Sequence, residues 1–356
     1  MDFQQKLGGF KIAIDKELCH HFDLAITEAR EQSELLASAL EQTKKIALAG
    51  GKRIRGSLVQ CAYAGVGGKE KKKILQVAVA VELLHLFFLV HDDIIDCGNL
   101  RHGQETVQKF FAKKVSGKIV QSKADQFGNS IAIIVGDLLF ARANEIILKA
   151  GFGERETLAA LAYLQRVVKM TIAGQAQDMA IENSGYADEE MVLAMYENKT
   201  ALYTFEGPLL LGSLFAKLTD KKTQKLFSGY ANAVGKAYQL QDDLLGIFGR
   251  KEKIGKSTIS DIEEGKLSLM VVYARTKASL EDRKKLDEIL GRKNLSQKQV
   301  QIFKDILVKT GAKKYAFELI EKYLEIGKSE IEKATLLRES KHFLIGMVEY
   351  LQGREI

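Results

Sequence analysis

The chain has one proline in 356 residues, no tryptophan and three cysteines. Little can interrupt an i to i+4 backbone ladder, and abundant Ala, Leu, Ile, Lys and Glu favour helix, so we read the chain as all-α. Cys19, Cys61 and Cys97 are too few and scattered for a disulfide framework and lack metal-ligand spacing, which fits a reducing cytosol and a cytoplasmic protein. Met1-Asp2-Phe3-Gln4-Gln5-Lys6 has no signal-peptide apolar core. No run of about 20 uncharged apolar residues marks a membrane anchor. The lysine runs at 69–73 and 251–256 lack interleaved aromatics and any nucleic-acid module, so they read as solvated faces rather than a nucleic-acid surface. A net charge of +7 is still compatible with a small acidic substrate.

With 46% hydrophobic residues and no repeat, low-complexity tract or linker, 1–356 reads as a single domain. Apolar spacing predicts one or two amphipathic helices over 11–48, stopped by Gly50-Gly51. Residues 71–96 are apolar on nearly every side, which marks a helix buried at the centre of a bundle. Cys97-Gly98-Asn99 ends it. A loop then carries Arg101-His102-Gly103, followed by a polar segment over 113–129 and a buried helix from about Ile131. Further helices are expected over 154–182, 188–217 and 221–248. The glycine-punctuated, charged stretch from Gly249 to Lys256 reads as a loop able to serve as a lid. Amphipathic helices fill the remainder.

Two aspartate clusters stand out: His91-Asp92-Asp93-Ile94-Ile95-Asp96 and Gln239-Leu240-Gln241-Asp242-Asp243. A carboxylate in an apolar helix is costly unless a cation sits against it, so repeated clusters point to bound divalent metal. Asp92 and Asp96, at i and i+4, share one helix face, whereas Asp93 points elsewhere and takes a supporting part. Acids are also disfavoured at a helix carboxyl end, which argues against a merely solvated terminus. Lys52 and Arg55 on a first helical turn can present cations and backbone N–H groups to phosphate. Lysines and arginines beside metal-binding acids call for an anion that shares the metal, and diphosphate is the natural candidate. His85 shares the stripe of Asp92. It and His91 stay undecided between core and ligand on spacing alone. Gln239, Asp242, Asp243 and Gly246 follow i, i+3, i+4, i+7 spacing.

In chain order, Gly50-Gly51-Lys52-Arg53-Ile54-Arg55, Glu82-Leu83-Leu84-His85, Asp92 to Asp96, Arg101-His102-Gly103, Gly136-Asp137, Gly174-Gln175 with Asp178, Lys199-Thr200, Gln239 to Asp243, and Gly255-Lys256 with Asp261 and Lys266 resemble the trans-isoprenyl diphosphate synthases, or polyprenyl synthetases. The resemblance covers nearly the whole chain. It implies the isoprenoid synthase fold, an antiparallel helical bundle around a central apolar cavity. It also implies three Mg²⁺ ions, two held by Asp92 and Asp96 and the third by Asp242. Arg101, Lys199 and Lys256 match cations on the allylic diphosphate, and Lys52, Arg55 and His85 match the site for isopentenyl diphosphate. Lys266 matches a further substrate-binding lysine, and His102 stands where a second arginine contributes to that site. Thr200 and Gln239 match polar groups beside the emerging carbocation.

The implied activity is an Mg²⁺-dependent prenyltransferase condensing isopentenyl diphosphate with an allylic diphosphate, in a homodimer. Phe87 and Phe88, one turn before Asp92, match positions whose aromatic rings go with short products. Farnesyl diphosphate is therefore the expected product, with geranylgeranyl next. His102, Gly246 where a third aspartate is usual, Gly56 where proline is common, and a long 113–129 segment depart from the pattern. A class I terpene cyclase is the nearest rival, but it needs neither Lys52 nor Arg55 and usually carries Asn/Ser/Glu at its second metal motif. A silent partner subunit of a heteromeric synthase is the other alternative.

Overall fold

The structure, a computed structural model, describes residues 2–218, 220–249 and 260–354. Among these the only strands are Leu100–Arg101 (β1) and Gln104–Glu105 (β2), an antiparallel hairpin; regular structure is otherwise helical. Lys256 and most of the expected lid lie outside the described residues.

Helices α1 (Phe3–Gln32), α2 (Glu34–Ala49), α3 (Ile54–Gly65), α4 (Lys71–Ile95), α5 (Val107–Val115) and α6 (Gln121–Lys149) precede α7 (Glu154–Ser184). The segment from Glu189 to Phe215 is α8 (Glu189–Tyr196), a π-helical stretch (Glu197–Glu206) and α9 (Gly207–Phe215). Then come α10 (Lys221–Phe248), α11 (Ser260–Glu264), α12 (Leu269–Lys277), α13 (Leu280–Ile289), α14 (Gln297–Lys309), α15 (Ala312–Lys333) and α16 (Arg338–Gln352). The polar 113–129 segment is mostly helical. Helix α5 ends inside it and α6 starts at Gln121, ten residues before the expected Ile131.

Contacts divide the chain into two compact units, residues 1–161 with 212–217, and 162–211 with 218–356. In the first, α4 is packed by α1, α3 and α6. Its residues Val77 to Val81, Leu83, Leu84, Leu86, Phe87 and Val90 are buried, as a helix apolar all round requires. By length and composition α4 could cross a bilayer although Glu82 interrupts its apolar run, but 67% of its most apolar stretch is buried inside the protein. In the second unit α10 holds the corresponding place, against α15 and the π-helical stretch.

The π-helical stretch had no signature in the sequence. The sole proline, Pro208, follows directly on the π-helical stretch, whose closing bond runs from the Gly207 N–H to the Leu202 carbonyl, and it has no N–H with which to continue that ladder.

Candidate active site

The first unit holds one acidic cluster at the carboxyl end of α4. Asp93 is buried, and Arg101 of β1 donates from Nε to both of its carboxylate oxygens at 2.9 Å and from Nη2 at 2.6 Å. By resemblance Arg101 is a cation for the allylic diphosphate; here its Nε and Nη2 both bond Asp93. Gln108 of α5 donates to the Asp93 and Gly98 carbonyls at 2.7 and 2.9 Å, tying the helix end to the hairpin. Asp92 and Asp96 are progressively more exposed. His91 is packed rather than poised: its Nε2 lies 3.3 Å from the Ile133 carbonyl oxygen, and a Cβ on Gly136 would come within 2.1 Å of the ring.

The same unit carries the basic turn. Gly51 (φ 94) and Arg53 (φ 55) are left-handed, and α3 starts at Ile54. Lys52 is exposed and Arg55 half-buried, whereas Arg53 turns inward. His102 and Gly103, at φ 50 and 75, form the two-residue hairpin turn in which both positions are left-handed, a conformation histidine adopts more readily than most residues. That turn lays the His102 ring on Gly50, where a Cβ would sit 2.6 Å from it. Burial, with Arg101 and Arg53 nearby, lowers the His102 pKa despite a hydrogen bond to the Ile46 carbonyl, so the ring does not carry the fixed charge of an arginine. His85 is held further below its ordinary value, by burial first and then by Arg55, Arg101 and Arg53. Gly56 explains its own departure: its N–H donates to Glu82 at 2.9 Å, which proline could not do.

In the second unit, glycines bring the polar groups together. A Cβ on Gly235 would meet Ala201 at 2.4 Å, so α10 lies directly against the π-helical stretch. One turn on, Gln239 meets Thr200, whose hydroxyl donates to Oε1 at 2.7 Å. Gln239 Nε2 donates to buried Asp243 at 3.0 Å, as does Lys266. Tyr196, which sequence matching missed, donates its hydroxyl to the other Asp243 oxygen and accepts from the Leu269 N–H at 3.1 Å. Burial opposes the Lys266 charge, but Asp243, Asp261 and Asp178 outweigh it and hold the ammonium well above its usual pKa. Gly174 admits the backbone of Lys199, and the Lys199 ammonium pairs with buried Asp178. Arg354, also unforeseen, reaches Asp242 at 2.9 Å and lies over the Tyr238 ring.

Gly246 is filled from outside. A Cβ there would stand 2.0 Å from Asp261 Oδ2, so the position usually given to a third aspartate is adjoined by a carboxylate from α11.

Among the described residues no three His, Cys, Asp or Glu side chains converge into a ready-made metal cage. Mg²⁺ does not need one, since it commonly takes one or two carboxylates and completes its octahedron with water and substrate phosphate. The hard oxygens of Asp92 and Asp96 on one face of α4 fit that demand. Of the two phenylalanines before them, Phe87 is buried against Phe140 and His91, at ring separations of 5.5 and 4.9 Å, whereas Phe88 is partly exposed.

Two outcomes follow from this geometry. Gly246→Asp, which would restore the usual motif, should lower the melting temperature and fail to raise activity, because it sets a second carboxylate against that of Asp261, and like charges resist such approach; a fully stable, more active variant would refute that contact. Folded His85 binds fewer protons than the unfolded chain below its ordinary pKa of 6.5, so its share of stability is present above that pH and lost as pH falls. Urea midpoints should therefore drop more steeply from about pH 7 to about pH 5.5 in the wild type than in His85→Gln, and equal slopes would exclude His85 as the source.

The model of the polyprenyl synthetase family matches residues 36–307. A geranylgeranyl diphosphate synthase of Saccharolobus solfataricus is 32% identical over 280 residues, 78% of each chain. A short chain isoprenyl diphosphate synthase of Methanothermobacter thermautotrophicus is 32% identical over 320 residues, 89% of this chain and 90% of that one. The crystal structure of a Corynebacterium glutamicum geranylgeranyl pyrophosphate synthase, complexed with isoprenyl diphosphate and magnesium, superposes with a TM-score of 0.88 over the whole of both chains at 24% identity, which speaks for the fold. With the family model spanning most of the chain and relatives above 30% identity along most of its length, this protein belongs to the polyprenyl synthetase family and is a trans-prenyltransferase of the isoprenoid synthase fold.

Proposed function

We propose that the chain condenses isopentenyl diphosphate with an allylic diphosphate to give geranylgeranyl diphosphate. The observation that carries this reading is the common build of its two aspartate clusters. In each, one aspartate is buried against a cation, Asp93 on Arg101 and Asp243 on Lys266, and its neighbour is more exposed. Asp92, Asp96 and Asp242 would hold Mg²⁺, with three ions expected from the family. Bound Mg²⁺ would offset the charge that develops on the leaving diphosphate.

The chain's own residues do the rest. Lys199, with Lys256, binds the allylic diphosphate, and Arg101 and Lys266 contribute mainly by fixing Asp93 and Asp243. Lys52 and Arg55 bind isopentenyl diphosphate beside a neutral His85, which can donate or accept a hydrogen bond but adds no charge. His102, whose pKa is lowered, brings that subsite less charge than the arginine usual there. When the allylic C–O bond breaks, the Gln239 and Thr200 oxygens lie beside the cation, and apolar walls keep water from capturing it. The isopentenyl double bond then attacks and a proton leaves, with departed diphosphate as its acceptor. We further propose that both units serve one catalytic domain, that the chain acts as a homodimer and that it works in the cytoplasm.

The farnesyl expectation rested on two rings closing the product cavity. Phe87 packs against Phe140 and His91 and, at 4.7 Å, against Phe88, so the two rings belong to one aromatic cluster, of which Phe88 is the partly exposed member. The relative from Saccharolobus solfataricus is named for the longer geranylgeranyl product.

Purified protein incubated with labelled isopentenyl diphosphate, Mg²⁺ and each of dimethylallyl, geranyl and farnesyl diphosphate should yield geranylgeranyl diphosphate, and chelating the metal should stop elongation. No elongation with any primer would overturn the reading in favour of a cyclase or a silent subunit. Phe88→Ala should shift products to longer chains, and an unchanged product would remove Phe88 as the limiting wall.

A further inference from the structure

Lys52-Arg53-Ile54-Arg55 looks like one basic patch in the sequence, but its middle arginine does something different. The Arg53 side chain is only 4% exposed. Its Nε donates to Asp15 Oδ1 of α1 at 2.7 Å, Nη2 donates to the Ala47 carbonyl of α2, and Nη1 lies 3.7 Å from Glu82 of α4. Three helices are thus gathered on one guanidinium. A Cβ on Gly51 would lie 2.8 Å from Nη1, so the turn runs directly over the group. Glu82 also accepts the Gly56 N–H in the first turn of α3, and it lies three residues before His85 on α4. Breaking such a buried pair strands uncompensated charge, a cost that the exposed Lys52 before it does not carry.

We propose that Arg53 is a positioning residue for isopentenyl diphosphate, touching no substrate itself but fixing the left-handed turn from which Lys52 and Arg55 act. This rests on the prenyltransferase reading above. Fork geometry is essential, because lysine can reach one of the three acceptors but not all of them.

The test uses full-length Arg53→Lys, with Asp15→Asn as a milder variant should the first fold poorly. Steady-state kinetics should show KM for isopentenyl diphosphate raised about tenfold in Arg53→Lys and less in Asp15→Asn, with KM for the allylic primer unchanged. Calorimetric titration with isopentenyl diphosphate alone should show the same loss of affinity. A lower melting temperature with both KM values unchanged, or an equal rise in both, would overturn the proposal. If the wild type elongates no primer, the prenyltransferase reading fails by itself, and the titration still judges Arg53. Weakened binding in the variants would sustain its positioning part, and unchanged binding would remove it.

Discussion

A carboxylate can sit inside an apolar helix only if a cation neutralises it, and this molecule applies that constraint twice. Asp93 has Arg101, and Asp243 has Lys266 together with Tyr196 and Gln239. Each inner aspartate saturates its oxygens with these donors, which anchors the helix end or loop that supplies them. Its more exposed neighbour, Asp92 in one cluster and the Arg354-paired Asp242 in the other, is the carboxylate we propose for the metal. Neither cluster could be built from aspartates alone, because adjacent uncompensated acids in a buried setting would protonate rather than remain charged.

Glycine sets the spacing on which this depends. Gly235 lets α10 touch the π-helical stretch, and Gly174 admits the backbone of Lys199. Gly136 leaves room for the His91 ring, and Gly50 for that of His102. A methyl group at Gly235 or Gly174 would push the facing backbone away, and one at Gly136 or Gly50 would displace the histidine ring. The residues carrying chemistry would then lose hydrogen bonds whose lengths tolerate only a few tenths of an ångström.

The departures from the family pattern have local causes. His102 occupies a left-handed hairpin position and covers Gly50, Gly56 donates an N–H that proline lacks, and Gly246 leaves space for Asp261. Each substitution is matched to a contact elsewhere in the chain. That coupling is invisible when motifs are compared one position at a time.

Helix content, the buried character of α4 and the identity of both acidic clusters were legible in the sequence, because apolar periodicity and the solvation cost of charge are local properties. The start of α6 at Gln121 was less so, since its first turns are mostly polar and exposed and leave little periodic signal. Tertiary structure alone decided which charges act outward. Arg53 resembles Lys52 and Arg55 on the page, yet Asp15, Ala47 and Glu82 draw it inside. Arg101 and Lys266 are likewise spent on aspartates, and Tyr196 and Arg354 join clusters that their neighbours in sequence do not predict. Ion pairs form between residues far apart in the chain, so their partners exist only once the helices have packed.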